Sequence, residues 1–278
     1  MTATRHWKCL FGLATSIMVP SISFAVEEGG EGGVKELPSF VNFISPEGSA
    51  LVHWMSIIYA AVVSIILAAI AIVVYRRRKM IPGPLQNVVE LAVESMYNFL
   101  HSVLGDEARR FVPFLGTLFF YILFMNLMGI IPGGYSPSTN INITASLAIL
   151  VFIYVQYIGF TRMGVVRYFD HLLGQPRGLG WIAAPFVLIS EFIGVFAKPF
   201  TLAIRLFGNL TGEDILVAGF VGLGVSALSF IHSPIGLPFQ LPFYFLGILL
   251  STIQALVFTL LSTIYILLMI PHTEHEGH

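Results

Sequence analysis

Cysteine is almost missing from this chain. Cys9 is the one thiol in 278 residues, which excludes intrachain disulfides and any cysteine-based metal site. Charge is scarce as well: fourteen Lys and Arg stand against fifteen Asp and Glu, 10% of the chain together, where soluble domains carry about 25%. So few cations, with no basic patch interleaved with aromatics, exclude nucleic acid as a partner. No Gly-x-x-x-x-Gly-Lys-Ser/Thr run is present to cradle a phosphate. None of the eight histidines pairs with another at helical spacing inside an apolar segment, and His272, His275 and His278 read as a solvated tail. Neither a metal nor a cofactor is expected. No internal repeat is evident, which counts against an inverted-repeat transporter. What fills the chain instead is apolar: 56% of it is hydrophobic, the composition of a protein that lives in lipid.

Its start reads as a leader. Arg5 and Lys8 precede an apolar run from Cys9 to Phe24, and Ser23-Phe24-Ala25 sets small residues at the −3 and −1 positions of a cleavage site. Residues 1–25 are therefore expected to be a cleaved signal peptide, since about 16 apolar residues are short for a span. Residues 26–49, acidic and glycine-rich, form an exported segment, 50–271 the membrane domain, and 272–278 a polar cytoplasmic tail.

Within the membrane domain, Leu51 to Tyr75 is a clean candidate span ending at Arg76-Arg77-Arg78-Lys79. Leu85 to Leu104 differs. Glu90, Glu94, Asn98 and His101 recur at helical spacing opposite Val88, Val89, Leu91, Ala92 and Met96, the pattern of an amphipathic helix lying at the interface. Phe111 to Ile131 and Ile143 to Phe160 are two more spans. Two long apolar blocks follow, Gly180 to Phe230 and Leu241 to Ile270. Basic residues fall after the first span, before the second (Arg109, Arg110) and after the third (Arg162, Arg167, Arg177), while the loops between 132–142 and 231–240 have none. An exported N-terminus puts all three clusters in the cytoplasm, with the C-terminus inside, provided that the Gly180–Phe230 block crosses once.

That single crossing poses a length problem. A helix of about 45 residues extends roughly 68 Å, against about 30 Å of hydrocarbon. Either one helix runs steeply tilted, curved by Pro185, Pro199 and Gly208, or two ordinary spans meet at a buried turn near Gly208–Gly212.

This block also holds Arg205, a cation that cannot discharge at any physiological pH. Its cost at bilayer depth runs from roughly 3 to above 10 kcal/mol, so it must face protein or trapped water, and it marks a functional site. Glu191, Lys198 and Arg205 are seven apart and share a face that drifts only about 20° per step. Asn209 lies one turn further on, then Glu213 and Asp214. Along one helix, Glu191 is about 21 Å from Arg205 and Asp214 about 13 Å, too far for tight ion pairs. In the last block Gln254 is the polar residue at depth, an amide able to donate to a carboxylate or share water with a guanidinium. If the two blocks form an antiparallel hairpin, Gln254 could face Arg205. It could equally serve packing, as could Asn126. Asn140 and Asn142 are placed to line an aqueous entrance.

The run Lys198-Pro199 with Arg205-Leu206-Phe207-Gly208-Asn209 resembles the signature of subunit a of F-type ATP synthases, the stator part of the membrane proton path. The likeness extends to Met125-Asn126-Leu127-Met128 with Ile131-Pro132, to Asn140-Ile141-Asn142-Ile143-Thr144, to Glu191, and to Gln254-Ala255 through Thr263-Ile264-Tyr265. It implies an all-α polytopic membrane protein of five transmembrane helices plus one amphipathic interfacial helix, the last two forming a long tilted hairpin against a ring of c subunits. It also implies b-type peripheral stalk subunits and the rest of the synthase as partners. A bacterial inner membrane fits the leader, and a thylakoid membrane is the alternative. By resemblance Arg205 is the arginine that faces the ring carboxylate, Gln254 the amide opposite it, and Glu191 the acid of one half-channel. The other acid falls at Asp214 or its neighbour Glu213. Some family members carry a histidine or carboxylate seven residues before the glutamine, where this chain has Gly247. Asn209, Asn126, Asn140 and Asn142 complete the expected path. The rival of another class is a stand-alone secondary transporter using Glu191 and Arg205 for its own substrate.

Overall fold

A computed structural model of the chain describes residues 54–131, 134–164, 168, 184–228, 239 and 241–270. The expected leader, the exported segment, the polar tail and the 231–238 loop lie outside them. The described residues form helices and no strand. Six α-helices follow in order: α1 Met55–Arg77, α2 Pro84–Leu104, α3 Ala108–Ile130, α4 Ile141–Met163, α5 Ala184–Leu228 and α6 Leu241–Leu268. Five stretches are long and apolar enough to cross a membrane: α1, the run Pro84–Ile130 that includes α3, α4, Phe192–Phe220 of α5, and α6. The chain is an all-α polytopic membrane protein.

Helix α1 is apolar all round and buries little beyond Met55, Ser56 and Val63, leaving Ile65 and Ile72 more than half exposed. A helix of this kind is solvated by lipid rather than by a core. Its basic end leads into α2 through a reciprocal clamp: Gln86 accepts from the Lys79 amide at 3.1 Å and donates to the Lys79 carbonyl at 3.2 Å. Pro84 then opens α2 at its first position, where the missing N–H costs nothing. Met96, Leu100 and Leu104 form the buried face of α2, which packs on α3.

The corner between α2 and α3 is made by Gly105, whose φ of 59° and ψ of −141° suit no side chain. A single 3-10 turn, Gly105–Glu107, completes it. Arg162, in the last turn of α4, donates to the Glu107 carboxylate at 2.7 Å and ties α4 to this corner. Arg109, Arg110 and Arg162 therefore share one end of the bundle. Among the described residues, the opposite end is polar without charge. There Asn140 caps α4 by accepting from the Asn142 amide and donates to Ser56 Oγ, which in turn contacts Tyr135 Oη.

Helix α5 answers the length question: it is one helix of 45 residues, with Pro199 inside it and no turn at Gly208–Gly212. Pro199 removes one ladder bond, and the neighbouring helices carry the segment through. Helix α4 packs along α5, and α6 packs on both α3 and α5. The buried face of α6 is rich in small hydroxyls. Thr259, Ser262 and Thr263 are fully buried and each donates to the carbonyl four residues back, at 2.7–2.8 Å. Satisfied within their own helix, these groups permit close approach of neighbours without an orphaned donor.

Candidate functional site

Helices α5 and α6 run antiparallel in a constant register. The Lys198 ammonium lies over the Tyr265 ring, 5.6 Å from its centroid. One stretch further along, Asn209 Nδ2 donates to Gln254 Oε1 at 2.5 Å. Beyond that, the Glu213 carboxylate packs against Gly247, and Phe220 stacks on Phe243 at 3.9 Å. Lys198–Tyr265, Asn209–Gln254 and Phe220–Phe243 share one register, and Glu213 reaches Gly247, less than one turn from the residue of α6 that this register sets opposite it.

Arg205 sits on this seam's outer side. It is exposed, and no hydrogen bond or ion pair joins it to another described residue. Its flanking positions Ile204 and Phe200 are exposed too, whereas Leu202, Leu206 and Leu210 are buried against the bundle. Three, seven and fourteen residues beyond Arg205 come Gly208, Gly212 and Gly219, all exposed with open space where a side chain would be. The arginine thus projects from a smooth strip bordered by large apolar side chains. With no ion pair among the described residues, the guanidinium is free to meet a carboxylate or water.

Gln254 is almost fully buried, at 2% exposure. Its oxygen is taken by Asn209, and its Nε2 has no acceptor among the described residues. It makes no hydrogen bond to Arg205; the register gives it to Asn209, one turn along α5. A buried amide with two free N–H donors is costly unless an acceptor visits it.

Behind Gln254 lies Asn126 of α3, also at 2% exposure. Its Oδ1 accepts from Ser138 Oγ at 2.8 Å, and its Nδ2 reaches the Ser251 carbonyl at 3.5 Å. Asn126 therefore joins α3, the 3-10 turn Pro137–Thr139 and α6, three residues before Gln254. Nothing in the sequence marks Ser138 as its partner, because the contact spans a loop.

Asn140 and Asn142 belong to the cap of α4 near Ser56 and Tyr135 and do not join the α5–α6 seam. Glu191 lies on α5, two heptads before Arg205. Glu213 is half-buried and Asp214 is exposed. The structure thus brings Arg205, Asn209, Gln254 and Glu213 to one seam, with Asn126 behind it. Lys198 with Tyr265, and Gly247 against Glu213, are pairings that only the register between two helices could disclose.

Residues 54–267 match the family described as ATP synthase A chain. The chain is 43% identical over 253 residues to ATP synthase subunit a of Protochlamydia amoebophila, covering 88% of this chain and 93% of that one. It is 37% identical over 220 residues to ATP synthase subunit a of Oleidesulfovibrio alaskensis, covering 79% and 87%. Against ATP synthase subunit a of Trichlorobacter lovleyi the figure is 34% over 232 residues, 82% and 94% of the two chains. The chain belongs to the ATP synthase A chain family, the subunit a component of the multi-subunit synthase.

Proposed function

We propose that this chain is the proton-conducting stator subunit of an F-type ATP synthase, with Arg205 as the fixed cation facing a rotating ring of c subunits. The exposed, unpartnered Arg205 on a glycine-smoothed strip of α5 carries this reading. A passing helix can come close over Gly208 and Gly212 and present a carboxylate to the guanidinium.

The proton path follows from the charges. A proton entering from the exported side binds a ring carboxylate, and the neutral group turns away into lipid. After nearly a full turn it meets the second path and loses its proton to the cytoplasmic side. Arg205 favours the ionised carboxylate as it passes and repels any proton crossing straight between the paths. Gln254 and Asn209 offer donors beside it. Glu191 serves the cytoplasmic path, and the exported path ends at Glu213 or Asp214. Asn126 lies behind the seam, and Asn140 and Asn142 stand at the exported mouth. The bundle end that gathers Arg109, Arg110 and Arg162 faces the cytoplasm of a bacterial inner membrane, with the N-terminus exported. One charge falling through 100 mV releases about 2.3 kcal/mol, so several protons are needed per ATP. Nucleotide chemistry belongs to other subunits of the complex, and b-type stalk subunits hold this one still.

Arg205→Ala should abolish ATP-driven proton pumping in inverted membrane vesicles, with normal amounts of the chain in the assembled complex. Wild-type pumping by that variant overturns the reading.

A further inference from the structure

Gly247 is buried on α6, and a Cβ built on it would overlap the Glu213 carboxylate. The side chain of Glu213 thus ends in the space that any other residue at 247 would claim. Its Oε2 is buried with no hydrogen-bond partner among the described residues. One turn along α6, Ser251 Oγ is also buried and unpartnered, and three residues further comes Gln254 with its free Nε2. Gly247, Ser251 and Gln254 form one stripe on α6. On α5, Arg205, Asn209 and Glu213 follow at steps of four and form the facing stripe. Asp214 is about 100° further round α5 and is exposed.

Resting on the proposed function, we infer that Gly247 is a positioning residue whose missing side chain makes the recess for the Glu213 carboxylate, and that Glu213 rather than Asp214 is the acid of the exported path. Unpartnered polar atoms follow from Glu213 through Ser251 to Gln254, and Gln254 meets Asn209, one turn along α5 from Arg205. Asp214 is exposed, on the next face of α5. The atom that meets the built Cβ is the far end of a flexible side chain, not backbone. A methyl group at 247 would therefore push the carboxylate out of the recess and leave the helix pair in place.

The test compares variants in the assembled complex, scored by pumping per assembled chain in inverted vesicles. Glu213→Gln and Asp214→Asn keep shape and remove charge, so neither depends on repacking. E213Q is expected to lower pumping about a hundredfold, the scale of a lost proton-transfer group, while D214N keeps more than about half, the range of an exposed group without that role. Gly247→Ala is expected to lower pumping about tenfold through misplacement of the carboxylate. The double variant E213D/G247A, whose acid is one methylene shorter, should recover most of it. A purely structural role for Gly247 would not be rescued by shortening an acid on the other helix. Wild-type pumping by G247A, failure of E213D to rescue it, or loss of pumping in D214N but not in E213Q each overturn the inference. If G247A does not assemble, the isosteric pair E213Q and D214N decides. Arg205→Ala, run beside them, separates the two levels. A null R205A together with any overturning result removes this inference alone, whereas a pumping R205A removes the function it rests on.

Discussion

Polar side chains in this bundle divide by whether the chain itself satisfies them. Thr259, Ser262 and Thr263 bond to their own helix, and Asn126 is held from two sides. Among the described residues, Gln254 Nε2, Ser251 Oγ and Glu213 Oε2 are buried and unsatisfied on the α5–α6 seam, as is Thr211 Oγ1 of α5. The first group serves packing, and under the proposed function the second awaits a group that moves. Asn126 tests the division. Asn126→Ala leaves Ser138 Oγ without its buried acceptor, and should cost about 1–3 kcal/mol of stability. An earlier thermal midpoint of the detergent-solubilised complex would show it, and an unchanged midpoint would contradict the structural share assigned here. At this scale the sequence was informative about residue types and silent about pairs. Arg205, Glu213 and Gln254 stand out against apolar neighbours, but only the register between helices says that Gln254 takes Asn209.

Helices were far more legible than contacts, because lipid selects length and apolarity directly. The expected Phe111–Ile131 span appears as Ala108–Ile130, and Ile143–Phe160 as Ile141–Met163. Pro84 and Gly105 mark the ends of α2 as their chemistry dictates. The Gly180–Phe230 block was ambiguous for a physical reason. Periodicity is the same for one long helix and for two collinear pieces, and the break is decided by neighbours rather than by the segment. Gly105 illustrates the converse, a local requirement fully written in one residue. Gly105→Ala meets no steric neighbour, yet the backbone conformation alone should cost about 1–3 kcal/mol. Less of the variant should accumulate in the membrane complex, whereas Gly83→Ala, with φ of −75°, should accumulate normally. Equal levels would show that the corner relaxes.

Across the whole molecule, the two ends differ in chemistry and the two long helices differ in exposure. Ion pairing and cations collect at the α2–α3 corner, while Ser56, Tyr135 and Asn140 tie the other end with neutral groups. Between them, the Arg205 strip of α5 lies open. A ring partner should be reachable from there and not from α1. With Cys9 replaced by serine, cysteines at Gly208 or Gly212 should cross-link under mild oxidation to cysteines on the outer helix of the ring. A cysteine at Ile65, which is 67% exposed on α1, should not. Cross-linking from Ile65 at the same yield would place the partner on the wrong face.

The unbroken register from Lys198–Tyr265 to Phe220–Phe243 also limits how this chain can change over generations. Each residue of an α-helix turns about 100°, so one residue gained or lost between Lys198 and Phe220 would swing everything beyond it onto another face. Point substitutions there alter a single group, whereas a change of length would retime every group at once. The stretch behaves like a keyed shaft: it can be recut tooth by tooth but not lengthened by a single tooth.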